Sequence, residues 1–308
     1  MICRGKCCNF AVNYQKKLRM GQFKPFTLNL KGRLTTFDRP AVMGIVNVTP
    51  DSFYEQSRTP DSISITDRIE TMIADGADIL DIGAYSSRPG ATDVSSQEEL
   101  DRLCLGIETA RKIAPAIPIS IDTFRASVAR AAIEMGADIV NDISGGDLDA
   151  DMFDTVASLH VPYIVMHMRG TPSTMQSLTD YGDRGVTASV LDVLGTKVNQ
   201  LALKGVCDII VDPGYGFAKT LEQNYELIRD LNVFESLNCP ILVGISRKSM
   251  LTRLLDINAT EALPATTALN SFALDRGASI LRVHDVKEAV QAVSIYSQII
   301  SPTASHNI

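Results

Sequence analysis

The sequence predicts an α/β protein that folds as a (β/α)8 TIM barrel, with an N-terminal β-hairpin closing the barrel floor. Eight short apolar runs recur along the chain, separated by helical patterns, and most of them end in polar residues or a Gly/Pro-rich turn. Three of the runs follow a Gly-Ala-Asp or Gly-Ala-Ser segment, at Gly76, Gly136 and Gly277, where glycine can adopt the left-handed conformation that ends a helix. This repeated device indicates an iterated β/α unit.

The composition predicts a protein that binds a small molecule. Hydrophobic residues make up 45% of the 308 residues, enough for the large core of a barrel of this length. The formal net charge of −7 argues against a chain-wide footprint for nucleic acid. No apolar stretch approaches the roughly 18 residues of a membrane span, and the six cysteines lack metal-ligand spacing. We therefore expect a cytoplasmic protein with no nucleic-acid or membrane partner.

The N-terminal segment differs from the rest of the chain in charge. Residues 1–22 carry only basic charges, and no apolar core follows as a secretory signal requires. We expect this extension to be disordered, with residues 23–308 forming the single domain. At its start, Phe23–Phe37 alternates polar and apolar residues around Lys31-Gly32, which predicts the hairpin on the barrel floor.

The predicted barrel strands are near-continuous in apolar residues, as expected for strands buried on both faces. They are Ala41–Val48, Ile79–Ala84, Pro118–Thr123, Ile139–Ser144, Tyr163–Met168, Asp208–Pro213, Ile241–Ser246 and Ile280–Asp285. Two helix starts have capping-box spacing, Ser64 with Asp67 and Ser96 with Glu99. An open doubly wound sheet is the alternative. The count of eight strands, and the lack of a Gly-rich nucleotide fingerprint after the first, favour the barrel.

Residues at the carboxyl ends of the strands, most of them polar, are the candidate functional residues, because the active site of such a barrel lies there. They are Asn47, Asp51, Asp81, Asp122, Asn141, Asp142, Met166, His167, Asp212, Ser246, Arg247, Lys248, Arg282 and His284. Unpaired carboxylates and cations are costly to bury, so their convergence at one mouth indicates a site rather than chance.

These side chains divide into acceptors and donors. Asp122, Asn141 and Asp212 are mainly acceptors, suited to a planar heterocycle that carries N–H groups. The donors suited to an anion are Arg88, Arg282 and His284. Lys248 either donates to a ring atom or forms a Schiff base, as in an aldolase-like barrel. Three long polar segments, Thr49–Ser62, Tyr85–Ser96 and Met168–Tyr181, are candidate lids over the mouth.

Eight motifs, in this order along the chain, resemble those of the dihydropteroate synthases of folate biosynthesis. They are NVTPDSF at 47–53, DIGAYSSRPGA at 81–91, SIDT at 120–123, NDISGG at 141–146, MHMRGTPSTMQ at 166–176, DPGYGFAKT at 212–220, GISRKSM at 244–250 and RVHD at 282–285. The resemblance implies a TIM barrel that condenses p-aminobenzoate with 6-hydroxymethyl-7,8-dihydropterin diphosphate, with Mg²⁺ as cofactor. Diphosphate is released and 7,8-dihydropteroate is formed.

The resemblance also implies a role for each matched residue. The pterin would be held by Asp122, Asn141, Met166, Asp212 and Lys248. Asn47 would coordinate the metal, and the diphosphate would be bound by Asn47, Arg88, Arg282 and His284. p-Aminobenzoate would be framed by Ser87, Arg88, Pro89, Phe217, Lys248 and Ser249, while the mobile loops would be ordered by Asp51 and Asp81. The catalytic set would be Asp122, Lys248, Arg282 and His284. A homodimer formed through barrel helices, and inhibition by sulfonamides, are further implications.

One loop departs from the family pattern. Ala84-Tyr85-Ser86-Ser87 stands where Gly-Glu-Ser-Thr is more usual, which changes the hydrogen-bond partners of the second loop. We expect activity to survive this change. Two other functions remain open: a methyltransferase barrel acting on methyltetrahydrofolate, and a non-catalytic paralogue that binds pterin. The Ser-Arg-Pro loop and the anion site of Arg282 and His284 argue against the first function. The presence of Asn47, Arg282 and His284 argues against the second.

Overall fold

The computed structural model describes residues 23–48, 65–85 and 94–300. Its strands are β1 Phe26–Leu30, β2 Arg33–Phe37, β3 Ala41–Asn47, β4 Ile79–Gly83, β5 Ile119–Asp122, β6 Ile139–Asp142, β7 Tyr163–Met166, β8 Ile209–Asp212, β9 Leu242–Val243 and β10 Ile280–Val283. Its α-helices are α1 Ile65–Ala74, α2 Ser96–Ile113, α3 Ala126–Met135, α4 Met152–Leu159, α5 Gly185–Leu203, α6 Leu221–Arg229, α7 Ser249–Leu255, α8 Leu263–Asp275 and α9 Val286–Ile300. Short 3₁₀ helices occupy Met175–Ser177, Gly182–Arg184 and Leu231–Leu237.

Strands β3 to β10 form one parallel sheet in the order β8-β7-β6-β5-β4-β3-β10-β9. A parallel bridge between Val211 of β8 and Ile241, just before β9, brings the two ends of this sheet together. The result is a nearly closed barrel, with helices following the strands along the chain and packing beside one another, as α2 does with α3 and α8 with α9. Each of the eight predicted apolar runs contains a barrel strand, so the TIM-barrel prediction is confirmed.

The predicted hairpin is also confirmed. Strands β1 and β2 pair antiparallel across the Lys31-Gly32 turn. Its apolar side chains Leu28, Leu30 and Phe37 pack on an inner layer of barrel residues, which are Ala41, Met43, Ile79, Ile139, Ile164, Ile210, Leu242 and Ile280. Because these barrel residues lie toward the amino ends of their strands, hydrophobic packing fills the floor and leaves the polar residues for the opposite mouth.

Glycines end several helices where the sequence predicts. Gly76, Gly136 and Gly277 have φ angles of +93°, +128° and +99°. Glycine adopts such angles without the steric cost that a Cβ brings, so each helix stops and the chain turns directly into the next strand.

The capping box predicted for Ser96 with Glu99 is wrong by one residue. Ser95 is the N-cap of α2, and its Oγ accepts a hydrogen bond from Glu98 N at 3.2 Å. Glu99 is instead fully buried beside the end of β5. The other predicted box begins at Ser64, which lies outside the described residues.

Within the described ranges, no helix is long and apolar enough to cross a bilayer. The basic extension predicted for residues 1–22 lies outside those ranges, as do residues 49–64, 86–93 and 301–308.

Candidate active site

Arg282 joins two strand-end carboxylates at the barrel mouth. Its Nε donates to Asp81 Oδ2 at 2.6 Å, and its Nη2 donates to Asp122 Oδ2 at 2.7 Å. Burial lowers the pKa of Arg282, but the two carboxylates outweigh burial and raise it overall. Burial raises the pKa of Asp122 to about 7, against the opposing effect of Arg282. The guanidinium is thus a fixed cation between an aspartate that stays buried and one that titrates near neutral pH.

The other two predicted acceptors lie on the same mouth. Asn141 Nδ2 donates a hydrogen bond to Asp81 Oδ2 at 3.1 Å, which links β6 to β4. Asp212 Oδ1 accepts from Gly214 N at 2.7 Å at the end of β8. Burial raises the pKa of Asp212, while Lys248 and other nearby cations lower it. Both side chains are buried and carry acceptor oxygens, as a planar N–H ligand requires.

Lys248 is the donor that faces these acceptors. It lies at the N-cap of α7, and its Nζ donates to Tyr215 O at 2.7 Å. The same Nζ lies 4.8 Å from the ring centroid of Phe217, a cation–π contact. Burial lowers the pKa of Lys248 to about 8, although Asp212 acts to raise it. The ammonium is therefore mostly charged at pH 7 and becomes neutral in mildly basic solution.

One wall of the mouth is apolar. The cluster comprises Ile143, Met166, Met168, Met175, Phe217 and Ala218, with Phe124 and Leu148 packed against it. Met168 and Met175 belong to the third predicted lid segment, which is packed onto the mouth by these two side chains. Carboxylates beside an apolar wall suit a flat heterocycle, because its edge forms hydrogen bonds to the carboxylates while its face packs on the wall.

His284 supplies a neutral donor at the end of β10. Burial, together with a smaller effect of the nearby Arg282 cation, lowers the pKa of His284 to about 4. Ser246 Oγ accepts from His284 N at 3.2 Å and lies 3.1 Å from His284 Nδ1. With the serine hydroxyl donating to Nδ1, the ring carries its proton on Nε2 and can donate it to an anion. Arg68 of α1 donates to His284 O at 2.8 Å and holds this backbone from outside.

Asn47, the predicted metal ligand, ends β3 with an exposed side chain. In the ranges that the structure covers, no group of three or more His, Cys, Asp or Glu side chains is arranged to hold a metal ion. Mg²⁺ usually keeps several waters and takes one or two protein oxygens together with substrate phosphates. A single amide oxygen at the mouth therefore fits an ion that is brought in mainly by a diphosphate.

Several predicted residues lie apart from this group or outside the described ranges. Asp51, Ser87, Arg88 and Pro89 belong to residues that the structure does not describe. Ser249 is exposed at the first position of α7, next to Lys248. Among the described contacts, Asp81 binds Asn141 and Arg282, so its predicted role in ordering the loops stays a prediction.

Two groups of buried contacts at the mouth were not predicted from the sequence. Glu99 Oε1 accepts from Thr123 Oγ1 at 2.6 Å, and its other oxygen pairs with Arg125. The Arg125 guanidinium lies over the rings of Phe124 and Tyr85, which are stacked edge to face with centroids 5.0 Å apart. This packing holds Tyr85, the residue that departs from the family pattern, against the end of β5.

The second such group is a buried pair, Lys219 and His167. Lys219 Nζ lies 3.1 Å from His167 Nδ1, and burial lowers the pKa of both side chains, that of His167 to about 2. His167 was among the strand-end residues, whereas Lys219 belongs to a matched motif but carried no predicted role. No local pattern distinguishes it from a surface lysine.

Comparisons with known proteins agree with this geometry. The model of the pterin binding enzyme family matches residues 43–284. The dihydropteroate synthase of Synechocystis sp. (strain ATCC 27184 / PCC 6803 / Kazusa) is 44% identical over 267 residues, which cover 85% of this chain and 91% of the relative.

Two solved structures are also similar. The Xanthomonas albilineans dihydropteroate synthase with 4-aminobenzoic acid superposes with a TM-score of 0.81 at 36% identity, covering 89% of this chain and 98% of that one. The Yersinia pestis enzyme in a sulfonamide drug complex gives 0.81 at 34% identity, with 90% and 100% covered. By its fold, its mouth residues and these relatives, the chain belongs to the pterin-binding enzymes and, among them, to the dihydropteroate synthase family.

Proposed function

We propose that this chain condenses p-aminobenzoate with 6-hydroxymethyl-7,8-dihydropterin diphosphate, with the roles of individual residues set out below. The observation that carries the proposal is the Arg282 bridge, which holds a cation between Asp81 and Asp122 at the point where acceptors, donors and an apolar wall meet. A substrate with a heterocycle at one end and an anion at the other fits such a mouth.

The pterin ring has N–H groups on its edge and a flat apolar face. We assign its edge to the acceptors Asp122, Asn141 and Asp212, and its face to Met166. Lys248 donates to a ring oxygen or nitrogen. All four of the acceptor and wall residues lie at the ends of β5, β6, β7 and β8, so rigid strands fix their positions.

The diphosphate end of the substrate is assigned to the hydrogen-bond donors of the mouth. We assign it to Arg282, the Nε2 proton of His284 and Arg88, and the metal to Asn47. Bound Mg²⁺ would supply Lewis-acid stabilisation of the charge on the leaving diphosphate. His284 contributes as a neutral donor, because its pKa of about 4 keeps the ring uncharged at pH 7.

The second substrate, p-aminobenzoate, is assigned to residues around Lys248. They are Ser87, Arg88, Pro89, Phe217, Lys248 and Ser249. Support comes from the Phe217 ring. It belongs to the same apolar cluster as Met166, and its centroid lies 4.8 Å from Lys248 Nζ. We place the benzoate ring against Phe217, with its amine directed toward the pterin methylene carbon. A 4-aminobenzoic acid complex and a sulfonamide complex of two relatives support p-aminobenzoate as the second substrate.

The reaction needs one bond broken and one formed at the same carbon. The bond between the pterin methylene carbon and a diphosphate oxygen breaks, and its electron pair leaves with the diphosphate. The amine nitrogen of p-aminobenzoate then bonds to that carbon and loses its proton to diphosphate or water. Arg282 and His284 stabilise the charge that develops on the leaving oxygen, and Asp122 stabilises positive charge on the pterin.

Lys248 acts here as a donor and not as a Schiff base. Its ammonium donates to Tyr215 O and faces Asp212, which favours the charged form at neutral pH. The displacement above involves no covalent intermediate with the protein, so an amine nucleophile has no part in it.

Product analysis with two aspartate variants tests this function. The wild-type chain, given both substrates and Mg²⁺, should form 7,8-dihydropteroate, and Asp212→Asn should lose at least about a hundredfold in kcat/KM because an acceptor in the substrate site becomes a donor. Asp138→Asn is the matched control. Asp138 is also buried, but it binds Arg111 and Ile119 N at the floor end of the barrel. Equal losses of activity in both variants, or no product with the wild type, would contradict the proposal.

We propose further that the protein forms a homodimer through α8 and α9. These neighbouring helices expose the large apolar side chains Phe272, Ile295 and Ile299, at 62%, 64% and 59% of their surface. Exposed apolar side chains grouped on one face mark interfaces. Sedimentation equilibrium should give a dimer for the wild type and a monomer for Ile295→Asp. Leu203→Asp, at an exposed leucine on α5, should leave the dimer intact, and a monomeric wild type contradicts the interface.

The boundary of the domain and the cellular compartment of the protein are also proposed here. We propose that residues 1–22 form a basic extension outside the domain of residues 23–308, and that the protein works in the cytoplasm. Limited proteolysis should remove the extension and leave turnover unchanged, and cell fractionation should recover the activity in the cytosolic fraction.

A further inference from the structure

Lys219 is a buried lysine whose Nζ has three polar contacts. Its Nζ donates to Gly214 O at 2.8 Å and to Phe217 O at 2.9 Å, and it lies 3.1 Å from His167 Nδ1. The residue is only 4% exposed. The His167 ring is neutral, so its Nδ1 accepts from Lys219 Nζ when the ring proton lies on Nε2.

These contacts fasten the turn after β8 to the end of β7. The two carbonyls that Lys219 binds lie on either side of Tyr215 and Gly216, and His167 directly follows β7. The segments are in close contact, since a Cβ on Gly214 would lie 2.0 Å from His167 O. In addition, Gly216 N donates to Asn224 Oδ1 of α6 at 2.6 Å. The turn is therefore held by contacts to both the end of β7 and α6.

The same turn carries the groups that position Lys248. Tyr215 O, between the two carbonyls that Lys219 binds, accepts from Lys248 Nζ at 2.7 Å. The Phe217 ring lies 4.8 Å from that Nζ. A Cβ on Gly216 would meet Lys248 Cδ at 3.4 Å, so the backbone of the turn also lies along the lysine stem.

We propose that Lys219 is a positioning residue of the synthase reaction, which acts by fixing the Tyr215 carbonyl and the Phe217 ring against which Lys248 is held. The inference rests on the proposed function, because Lys248 is assigned to both substrates there. Lys219 itself touches neither substrate in this assignment; it acts through Lys248 and through the Phe217 ring.

A double-mutant cycle tests this dependence. Lys219→Met removes the Nζ donor while keeping the side-chain length, and it should lower kcat/KM for p-aminobenzoate by about tenfold to a hundredfold. In a Lys248→Ala background the same substitution should change kcat/KM by less than about threefold, because its effect through Lys248 is then gone and only its effect through the Phe217 ring remains. A residue with a purely structural role would lower kcat/KM by the same factor in both backgrounds, and that result overturns the inference.

Controls separate positioning from loss of folding. Lys197→Met removes another buried lysine, which binds Ser144 O and Asp147 rather than the carbonyls of this turn, and it should destabilise the protein without coupling to Lys248. If Lys219→Met does not fold, Asn224→Ala releases the same turn at Gly216 N and should show the same non-additivity. Additive effects in that cycle contradict the inference equally.

The test also separates this inference from the proposed function. A wild-type chain that makes dihydropteroate while the cycle is additive overturns the inference alone. A wild-type chain without turnover contradicts the proposed function. The cycle is then run on the dissociation constant of dihydropterin diphosphate, where coupling between Lys219 and Lys248 supports the positioning role and additivity overturns it.

Discussion

Arg282 Nη2 donates to Asp122 Oδ2 at 2.7 Å, although the two residues are 160 positions apart in the chain. The same guanidinium binds the fully buried Asp81 through Nε. These contacts tie β10 to β5 and β4 at the mouth, so one cation both pairs with two carboxylates and remains at the site proposed for the diphosphate.

Removing that cation should cost stability as well as activity. Arg282→Met leaves Asp81 and Asp122 without their partner, and losing one side of a buried ion pair costs about 3–5 kcal/mol. Urea denaturation of the variant should show this loss in the free energy of unfolding. Adding Asp122→Asn should recover part of it, because one unpaired charge is then gone. An Arg282→Met protein as stable as the wild type would contradict the bridge.

The pH dependence of kcat/KM should be bell-shaped. Burial raises the pKa of Asp122 to about 7, so its carboxylate is lost as pH falls through 7. Burial lowers the pKa of Lys248 to about 8, so its ammonium is lost as pH rises through 8. Because kcat/KM reports groups of the free enzyme, activity should fall on both sides of this interval. Lys248→Met should abolish the basic limb in its residual activity, and a basic limb that persists there would assign it elsewhere.

The Tyr85 packing should contribute to stability through its ring. Tyr85 stacks edge to face on Phe124, and the Arg125 guanidinium lies 5.5 Å from the Tyr85 centroid. Loss of an aromatic pair and a cation–π contact predicts a decrease of about 1–2 kcal/mol in the free energy of unfolding for Tyr85→Ala. Tyr85→Phe keeps the ring and should lose less than half as much. Equal losses in both variants would assign the effect to the hydroxyl.

His167 should make the protein acid-sensitive. Burial lowers the pKa of His167 to about 2, below its ordinary 6.5. The folded state keeps the ring neutral while the unfolded state takes up a proton below pH 6.5. The free energy of unfolding should therefore fall as pH drops from 6.5 toward 4, by up to about 1.4 kcal/mol per pH unit from this residue. His167→Asn keeps an acceptor for Lys219 and should flatten that slope; an unchanged slope contradicts this assignment.

The sequence was sufficient for the barrel because its signals are local. Each strand is an apolar run, and positive-φ glycines such as Gly76 and Gly136 mark the helix ends. Once the eight units are recognised, topology brings strand-end residues such as Asp122 and Arg282 to one mouth, whatever their distance in the chain.

The contacts within the mouth could not be predicted in the same way. Glu99 sits where a capping residue is expected, and only its approach to Thr123 and Arg125 from another unit explains its burial. Lys219 resembles a surface lysine in sequence, but its acceptors include His167, 52 residues away. Such pairings depend on the relative placement of strands and helices, which hydrophobic periodicity does not specify.

Diphosphate release from dihydropterin diphosphate, followed with and without p-aminobenzoate in the presence of Mg²⁺, tests the central claim most directly. The account predicts that release depends on p-aminobenzoate, matches the amount of 7,8-dihydropteroate formed and collapses in Arg282→Ala and in Lys248→Ala. Release that is independent of the amine, or tight binding of dihydropterin diphosphate with no release under any condition, would contradict it.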